Sequence, residues 1–257
     1  MNNAFATHGI DHLSASSLNT WVAEPALWVM ERLLQVKAPV GVAAHRGKAA
    51  EKGIELGLFM PDLPLEQCQR AARGEFDKLA MLNPDPNRDK ERGALDDLVE
   101  TGLDELRQYG IPTMPPGGKH QHKIEIQLDD IAVPIIGYLD FLWNQHSVFI
   151  DLKTELRLTS TIKPEHARQV VIYQHALPDH EARVAYVSPK KLGVYRLEPE
   201  DARRALNQVR QIATRLHRFL SLSSDPLELA ALLCPDPSDF RWNNQIAVSR
   251  RQEIYGY

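Results

Sequence analysis

The stretch that decides the fold spans residues 137–154 and reads GYLDFLWNQHSVFIDLKT. Apolar, aromatic and β-branched residues fill both of its ends, and a short polar segment lies between them, which is typical of a β-hairpin. If the turn is centred between Gln145 and His146, the numbers of paired residues sum to 291, so Asp140 lies opposite Asp151. Facing side chains on antiparallel neighbours have Cβ atoms roughly 5 Å apart. The sequence therefore predicts two like charges side by side on one face of a sheet.

A bound cation would explain why two carboxylates lie together among apolar neighbours, because burying charge without a partner is costly. Lys153 is two residues beyond Asp151, so the strand period of two places it on the same face. Oxygen-rich sites of this kind favour Mg²⁺ or Mn²⁺. In the alternative interpretation, an Asp near a strand end only forms a turn and Lys153 is its salt-bridge partner. Three such residues on one face favour a functional site.

Helical and extended patterns surround this hairpin. We predict helices over residues 14–36 (with a break at Pro25), 43–58, 65–79, 92–109, 164–177 and 198–220. We predict strands at HKIEIQL, AVPIIGYLDFLW and SVFIDLKT, which form an antiparallel three-stranded meander, and at ARVAYVS and GVYRL. The order of elements indicates an α/β (α+β) fold, in which helices flank a central mixed sheet and a helical region precedes it.

The length of 257 residues suits a single domain with a helical elaboration. We expect one domain over residues 1–257, with a core at about 40–60 and 118–222. The elaboration would span about 60–112, and residues 223–257 would form a C-terminal extension.

Four short motifs in this chain match one known family. They are GYLD at 137–140, DLKT at 151–154, QVVIY at 169–173 and GKAAE at 47–51. The first three, in this order, closely resemble the RecB-like branch of the PD-(D/E)XK nuclease superfamily, and the upstream GKAAE resembles the glutamate version of a further motif, found in phage λ-type exonucleases. The resemblance implies a restriction-endonuclease-like fold.

The resemblance also implies roles for individual residues. Glu51, Asp140, Asp151 and the main-chain oxygen of Leu152 would hold one or two Mg²⁺ (or Mn²⁺) ions, and Lys153 would position the attacking water. The product would carry a 5′-phosphate. Glu55, one helical turn beyond Glu51, is the fallback for the third carboxylate.

Gln169 and Tyr173 are four residues apart and share a helix face, so both could reach a phosphate or base of the substrate. The alternative is a tyrosine at the core boundary whose hydroxyl is satisfied by Gln169. His120 and His122 form a His-x-His pair, but no third ligand is near them in the sequence, so we predict no zinc site there.

The composition limits other function classes. The net charge of −4 gives no global attraction for a polyanion, so DNA binding would depend on bound cations or on local basic patches. The basic residues available for such patches are Lys190, Lys191, Arg196, Arg203, Arg204, Arg210, Arg215 and Arg218. The two cysteines, Cys68 and Cys234, are too few for the iron–sulfur cluster of some relatives, so we expect none.

No apolar run approaches the ~20 residues of a spanning helix, and MNNAFATHGIDH lacks a basic region followed by an apolar one. We therefore expect a cytoplasmic protein of a bacterial or infected host cell, with no membrane partner. The resemblance implies a metal-dependent exonuclease that acts on DNA ends in recombination, repair or phage DNA processing, with a single-strand annealing protein as its partner. An endonuclease of the same superfamily and a catalytically inactive DNA-binding subunit are the alternatives. The oligomeric state is left open.

Overall fold

The computed structural model of the chain describes residues 3–37, 39–118 and 121–256. The α-helices of these residues are, in chain order, α1 (Ala4–Thr7), α2 (Ala15–Ala23), α3 (Pro25–Arg32), α4 (Val42–Phe59), α5 (Leu65–Leu79), α6 (Arg88–Gly93), α7 (Leu95–Leu106), α8 (Pro164–Ala176), α9 (Pro199–Leu220), α10 (Pro226–Ala230) and α11 (Gln245–Tyr255). The strands are β1 (His122–Ile126), β2 (Ile135–Leu139), β3 (Phe141–Trp143), β4 (Val148–Thr154), β5 (Glu181–Ser188) and β6 (Lys191–Arg196).

The main sheet has the strand order β3-β4-β5-β6 and is mixed. Strand β4 is antiparallel to β3 and parallel to β5, and β5 is antiparallel to β6. Parallel neighbours need a crossover connection, which α8 provides between β4 and β5. The predicted α/β fold class with a mixed sheet is therefore confirmed.

The hairpin has the register that the sequence predicts. Phe141 pairs with Ile150 and Trp143 with Val148, so the numbers of each pair sum to 291. The turn is a short 3₁₀ segment at Asn144–His146, followed by Ser147 in the left-handed region with φ 49°. Asp140 lies immediately before β3, one residue beyond the last paired position of the hairpin.

The predicted meander differs at one point, because its second strand is interrupted. Asp140 lies in a bend between β2 and β3. Strands β1 and β2 pair with each other in a separate two-stranded sheet, whereas β3 pairs with β4. The interruption has a physical cause, because the Asp140 carboxylate accepts the main-chain N–H of Leu152.

The predicted helices are present, with ends that differ from the prediction by up to four residues. The first predicted helix divides at Glu24, because Pro25 begins a new helix instead of continuing the old one. The helix predicted over 92–109 is α7 followed by a 3₁₀ turn at Arg107–Tyr109, and its first residues belong to α6. The long amphipathic helix predicted over 198–220 is α9.

The chain divides into two compact units. The first comprises Met1–Pro39, Glu125–Gly137 and Pro199–Tyr257, and the second comprises Val40–Ile124 and Tyr138–Glu198. In the first unit Met30 and Trp242 belong to one buried apolar cluster, and Trp28 is also buried. The second unit contains the main sheet and every acidic and basic residue proposed above for the active site.

The core of the second unit is formed by α4, α5 and α7 together with the sheet. Helix α4 approaches its neighbours closely at Gly53, where an added Cβ would lie 2.7 Å from a methyl group of Val99 and 2.8 Å from the carbonyl oxygen of Cys68. A buried ion pair between Arg46 and Glu91 adds a polar anchor, and Arg46 also donates to the Thr154 carbonyl oxygen at 3.1 Å. These contacts fix α4, which carries Glu51, relative to the end of β4.

Candidate active site

Two aspartates form the centre of the site. Asp151 lies in the middle of β4 and is completely buried, and Asp140 in the bend is 8% exposed. Asp140 Oδ2 accepts a hydrogen bond from the Leu152 N–H at 2.8 Å. Asp151 Oδ1 accepts no hydrogen bond from the described residues. Asp151 therefore has fewer hydrogen bonds than a buried carboxylate normally has.

Lys153 provides positive charge at the site. Its Nζ lies 2.7 Å from Asp151 Oδ2, in ion-pair contact but without the angles of a hydrogen bond. Burial by itself would lower the pKa of the Lys153 ammonium, but the charges of Asp151, Asp140 and Glu51 outweigh burial, so the pKa lies above its usual value. Lys153 is therefore a fixed cation at neutral pH.

Glu51 reaches the same site from α4. Its Oε1 accepts a hydrogen bond at 2.9 Å from the side-chain amide of Gln121, which also donates to Asp140 Oδ1 at 2.7 Å. Burial raises the pKa of Glu51 to about 7, and repulsion from Asp151 adds to this while Lys153 opposes it. Glu55, the fallback, is bound instead by Lys52 at 2.9 Å. The structure thus brings Glu51 to the aspartates and Lys153.

The three carboxylates repel one another in a buried setting. The pKa of Asp140 lies well above its usual value, first because of burial and then because of Glu51 and Asp151. The pKa of Asp151 is raised by burial, and Lys153 opposes the shift. One lysine cannot balance three carboxylates, so a net negative charge remains when all of them are ionised.

These residues fit a divalent cation by their chemistry. All three side chains offer hard oxygen ligands, and Asp151 Oδ1 accepts no hydrogen bond from the described residues. Within the described ranges, no three His, Cys, Asp or Glu side chains are already arranged as a metal-binding group. The Gln121 amide lies between two of the carboxylates, so these side chains would have to move for a metal ion to bind. The chemistry of the ligands therefore indicates a metal site, although their metal-free positions do not form one. No described contact locates the carbonyl oxygen of Leu152 as a ligand.

Tyr173 and Gln169 lie on α8 and are hydrogen-bonded to each other. The Tyr173 hydroxyl donates to the Tyr138 carbonyl oxygen and accepts from the Gln169 amide, both at 2.9 Å. Tyr173 is 2% exposed, and burial raises the pKa of its hydroxyl far above the usual range. In this structure Tyr173 has a positioning role, because it holds the chain two residues before Asp140. Gln169 is partly exposed.

Two further residues of the site, Gln121 and His166, lie outside the four sequence motifs. Gln121 lies in an irregular segment just before β1, and nothing in its neighbourhood links it to residues 51 and 140. His166 is three residues before Gln169 on the same helix face, and this spacing could have indicated it. Its Nδ1 lies 2.7 Å from the Tyr186 hydroxyl. Burial and the charges of Lys153 and Lys163 lower the pKa of His166 to about 3, so the ring is neutral.

Of the His-x-His pair, for which we predicted no zinc site, the structure describes only His122. His120 lies outside the described residues. His122 Nε2 lies 3.0 Å from the Thr113 carbonyl oxygen.

None of the described helices has the length and apolar character that a membrane crossing requires.

Six of the eight basic residues named from the sequence fall into two groups. Several form ion pairs with nearby acids: Arg196 with Glu181, Arg203 with Glu200, Arg204 with Asp201 and Arg210 with Asp130. Lys190 and Lys191 instead line a shallow depression with Arg157, where β4 has ended and β5 turns into β6. These three side chains are exposed, so they could contact a phosphate backbone.

The chain belongs to the PD-(D/E)XK nuclease superfamily, whose family model matches residues 12–235. The matched range contains Glu51, Asp140, Asp151 and Lys153. Nucleases of this superfamily typically use divalent metal ions and act on nucleic acid. The chain is therefore a nuclease by family.

No curated protein matches this chain significantly. Among solved structures, the crystal structure of SSO0001 is similar, with 15% sequence identity and a TM-score of 0.32. The match covers 63% of this chain and 83% of the other chain. At this TM-score we draw nothing from the likeness about fold, site or substrate.

Proposed function

We propose that this protein is a metal-dependent deoxyribonuclease that hydrolyses DNA from its ends. The observation that carries the proposal is the meeting of Glu51, Asp140 and Asp151 beside Lys153 in the second unit. A buried cluster of three carboxylates beside one lysine is stabilised by a compensating cation, and hydrolysis of a phosphodiester needs positive charge near the phosphate. The family match supports nuclease activity in general.

Each residue of the site has a distinct role in the proposed reaction. Glu51, Asp140, Asp151 and the main-chain oxygen of Leu152 would hold one or two Mg²⁺ (or Mn²⁺) ions. When bound, such an ion lowers the pKa of a coordinated water and stabilises charge on the phosphate. Lys153 keeps its proton, so its ammonium orients the attacking water and faces the phosphate as a cation. Gln169 would contact the substrate from α8, and Tyr173 would support it.

The finer assignment to a DNA exonuclease of the RecB-like branch depends on the motif resemblance. Its supporting features are the glutamate at the end of GKAAE and the Gln169–Tyr173 pair, which lie in the expected order along the chain. An enzyme of this branch would resect DNA ends in recombination, repair or phage DNA processing. Its partner would be a single-strand annealing protein, and its place of action the cytoplasm.

The test uses linear duplex DNA labelled separately at each 5′ end, with a covalently closed circle as a second substrate. The purified protein is incubated with each in Mg²⁺ and, separately, in a chelator. Degradation from an end of the linear DNA, an intact circle and no reaction in chelator are expected. The variant Asp151→Asn, which keeps the shape of the side chain, should be inactive on both substrates.

Each other outcome contradicts a stated part of the proposal. Cleavage of the closed circle would indicate an endonuclease. Binding of DNA without any metal-dependent cleavage would indicate an inactive DNA-binding subunit with the same fold.

A further inference from the structure

One amide group links the two carboxylates that come from different parts of the chain. Gln121 Nε2 donates to Glu51 Oε1 at 2.9 Å and to Asp140 Oδ1 at 2.7 Å. Glu51 comes from α4, and Asp140 comes from the bend between β2 and β3. Gln121 belongs to neither element, since it precedes β1. The side chain therefore bridges two of the three acidic groups of the site.

This bridge opposes the repulsion between the two carboxylates. A carboxylate accepts about four hydrogen bonds, and a side-chain amide nitrogen has two N–H donors. Gln121 therefore uses its whole amide nitrogen to hold Glu51 and Asp140 together, while each carboxylate keeps acceptor capacity for a cation. The Leu152 N–H holds the other oxygen of Asp140. Both oxygens of Asp140 are thus fixed, one by the backbone of β4 and one by Gln121.

We propose that Gln121 is a positioning residue of the metal site, which orients Glu51 and Asp140 as ligands for a divalent cation. The inference rests on the proposed function, because it assumes that these carboxylates bind metal. Outer partners that hydrogen-bond to metal ligands fix the orientation of those ligands, and their loss typically weakens metal affinity by about 10- to 100-fold. Gln121 fits this role, and its two bonds end on two different ligands.

A competing role makes the opposite prediction. If the amide occupies the place of the cation in the metal-free protein, it must leave before metal binds. Removing the amide would then strengthen metal binding. The sign of the change in affinity therefore separates a positioning residue from a placeholder.

The test measures Mn²⁺ binding by calorimetry without DNA. The variant Gln121→Met removes the amide but keeps a side chain of similar length, and Gln121→Ala is a second variant in case the first packs poorly. The matched control is Gln127→Met, since Gln127 also bridges two oxygens, the main-chain carbonyl oxygens of Leu128 and Ile131. We expect Gln121→Met to bind Mn²⁺ about 10- to 100-fold more weakly than wild type. Gln127→Met should bind like wild type.

A double-mutant cycle adds a readout that a general loss of structure would not reproduce. In the Glu51→Gln background one target of the amide is altered, so the effect of Gln121→Met on Mn²⁺ affinity should shrink. Additive effects of the two changes would overturn the positioning role. Equal or tighter Mn²⁺ binding by Gln121→Met, in a protein that unfolds cooperatively in chelator, would overturn it as well.

The two proposals fail in different ways. Wild-type protein that binds no Mn²⁺ would refute the metal site and the role of Gln121 with it. Wild-type protein that binds Mn²⁺ and cleaves DNA, with Gln121→Met unchanged in affinity, would refute the role of Gln121 alone.

Discussion

The carboxylate of Asp140 is hydrogen-bonded to the strand that carries Asp151, because its Oδ2 accepts the Leu152 N–H at 2.8 Å. Leu152 lies between Asp151 and Lys153, so this bond ties the bend to the centre of the site. Asp140 leaves the path of a continuous strand to make this hydrogen bond. The backbone of β4 therefore sets the distance between the two aspartates.

Asp151→Asn is expected to abolish DNA cleavage and to stabilise the metal-free protein. The substitution removes a buried charge whose pKa is already raised by burial, and the amide keeps the volume of the side chain. A gain of about 1 kcal/mol would raise Tm by roughly 2–4 °C in a chain of this size. The measurement is thermal unfolding in chelator at pH 8, combined with a cleavage assay in Mg²⁺. A variant with full activity would refute the assignment of Asp151.

Lys153→Met is also expected to abolish DNA cleavage, but unlike Asp151→Asn it should destabilise the metal-free protein. Without the ammonium, Asp151 loses its ion-pair partner and the three carboxylates lose their nearby cation. The expected cost in chelator at pH 8 is about 2–3 kcal/mol, and it should shrink at pH 5, where the carboxylates take up protons. Chemical denaturation at both pH values measures it. An equal loss in the free energy of unfolding at pH 8 and pH 5 would show that the substitution acts through packing and not through charge.

The stability of the metal-free protein should fall as pH rises from about 4.5 to about 7. The pKa of Glu51 is about 7 in the folded chain against a usual value of 4.5, so the folded state binds more protons in this window. Stability is then highest below the unfolded pKa and is lost up to the folded pKa. Each pKa unit corresponds to about 1.4 kcal/mol. Glu51→Gln should remove the contribution of Glu51 to the pH dependence of the free energy of unfolding. Saturating Mg²⁺ should remove the same contribution in the wild-type protein.

A pH profile of Glu51→Gln that matches wild type in chelator would contradict the burial of an ionisable Glu51. Asp140 and Asp151 also lower the stability as pH rises, because their pKa values are raised as well. The test therefore compares the pH dependence of the variant with that of wild type, and it does not require a variant whose stability is independent of pH.

Tyr173→Phe should reduce stability and cleavage without weakening DNA binding. The change leaves the Tyr138 carbonyl oxygen without its hydroxyl donor, at a cost of about 1–2 kcal/mol, and loosens the chain that leads to Asp140. The matched control is Tyr195→Phe, because the Tyr195 hydroxyl also donates to a main-chain carbonyl, that of Thr159. The control should lose stability but keep activity. Weaker DNA binding with unchanged stability would instead make the Tyr173 hydroxyl a substrate contact.

The depression lined by Arg157, Lys190 and Lys191 should contribute to the salt dependence of DNA binding. Alanine at all three positions should weaken binding and reduce the slope of log K against log salt by about 0.9 for each phosphate of duplex DNA that the variant no longer neutralises. Fluorescence anisotropy in chelator measures the slope. Alanine at Arg203 and Arg204, which are paired with Glu200 and Asp201, should change it less. An equal effect per charge removed in the two sets would mean that only net charge matters.

The hairpin could be predicted from the sequence because strand period, turn and register are local properties. The residues that face each other across a short turn follow from its centre, which is why the pairing of Phe141 with Ile150 was accessible. The break at Asp140 was not, because it depends on a side chain that bonds to the backbone of the next strand. Hydrophobic patterns do not encode that competition.

The positions of Glu51 and Gln121 depend on contacts between distant parts of the chain. A motif suggested Glu51, but the buried pair of Arg46 and Glu91, 45 residues apart, helps to fix its helix. Gln121 follows a loop rich in proline and glycine, where no periodicity assigns a direction to a side chain. Such residues are found only when the fold brings their partners together.

The most direct test of the metal site is anomalous diffraction from crystals soaked in Mn²⁺. We predict an anomalous peak in contact with carboxylate oxygens of Asp140 and Asp151 in the wild-type protein, and no peak there in Asp151→Asn. A wild-type map at saturating Mn²⁺ without a peak between these two aspartates would contradict the assignment of this cluster as a metal-dependent nuclease site.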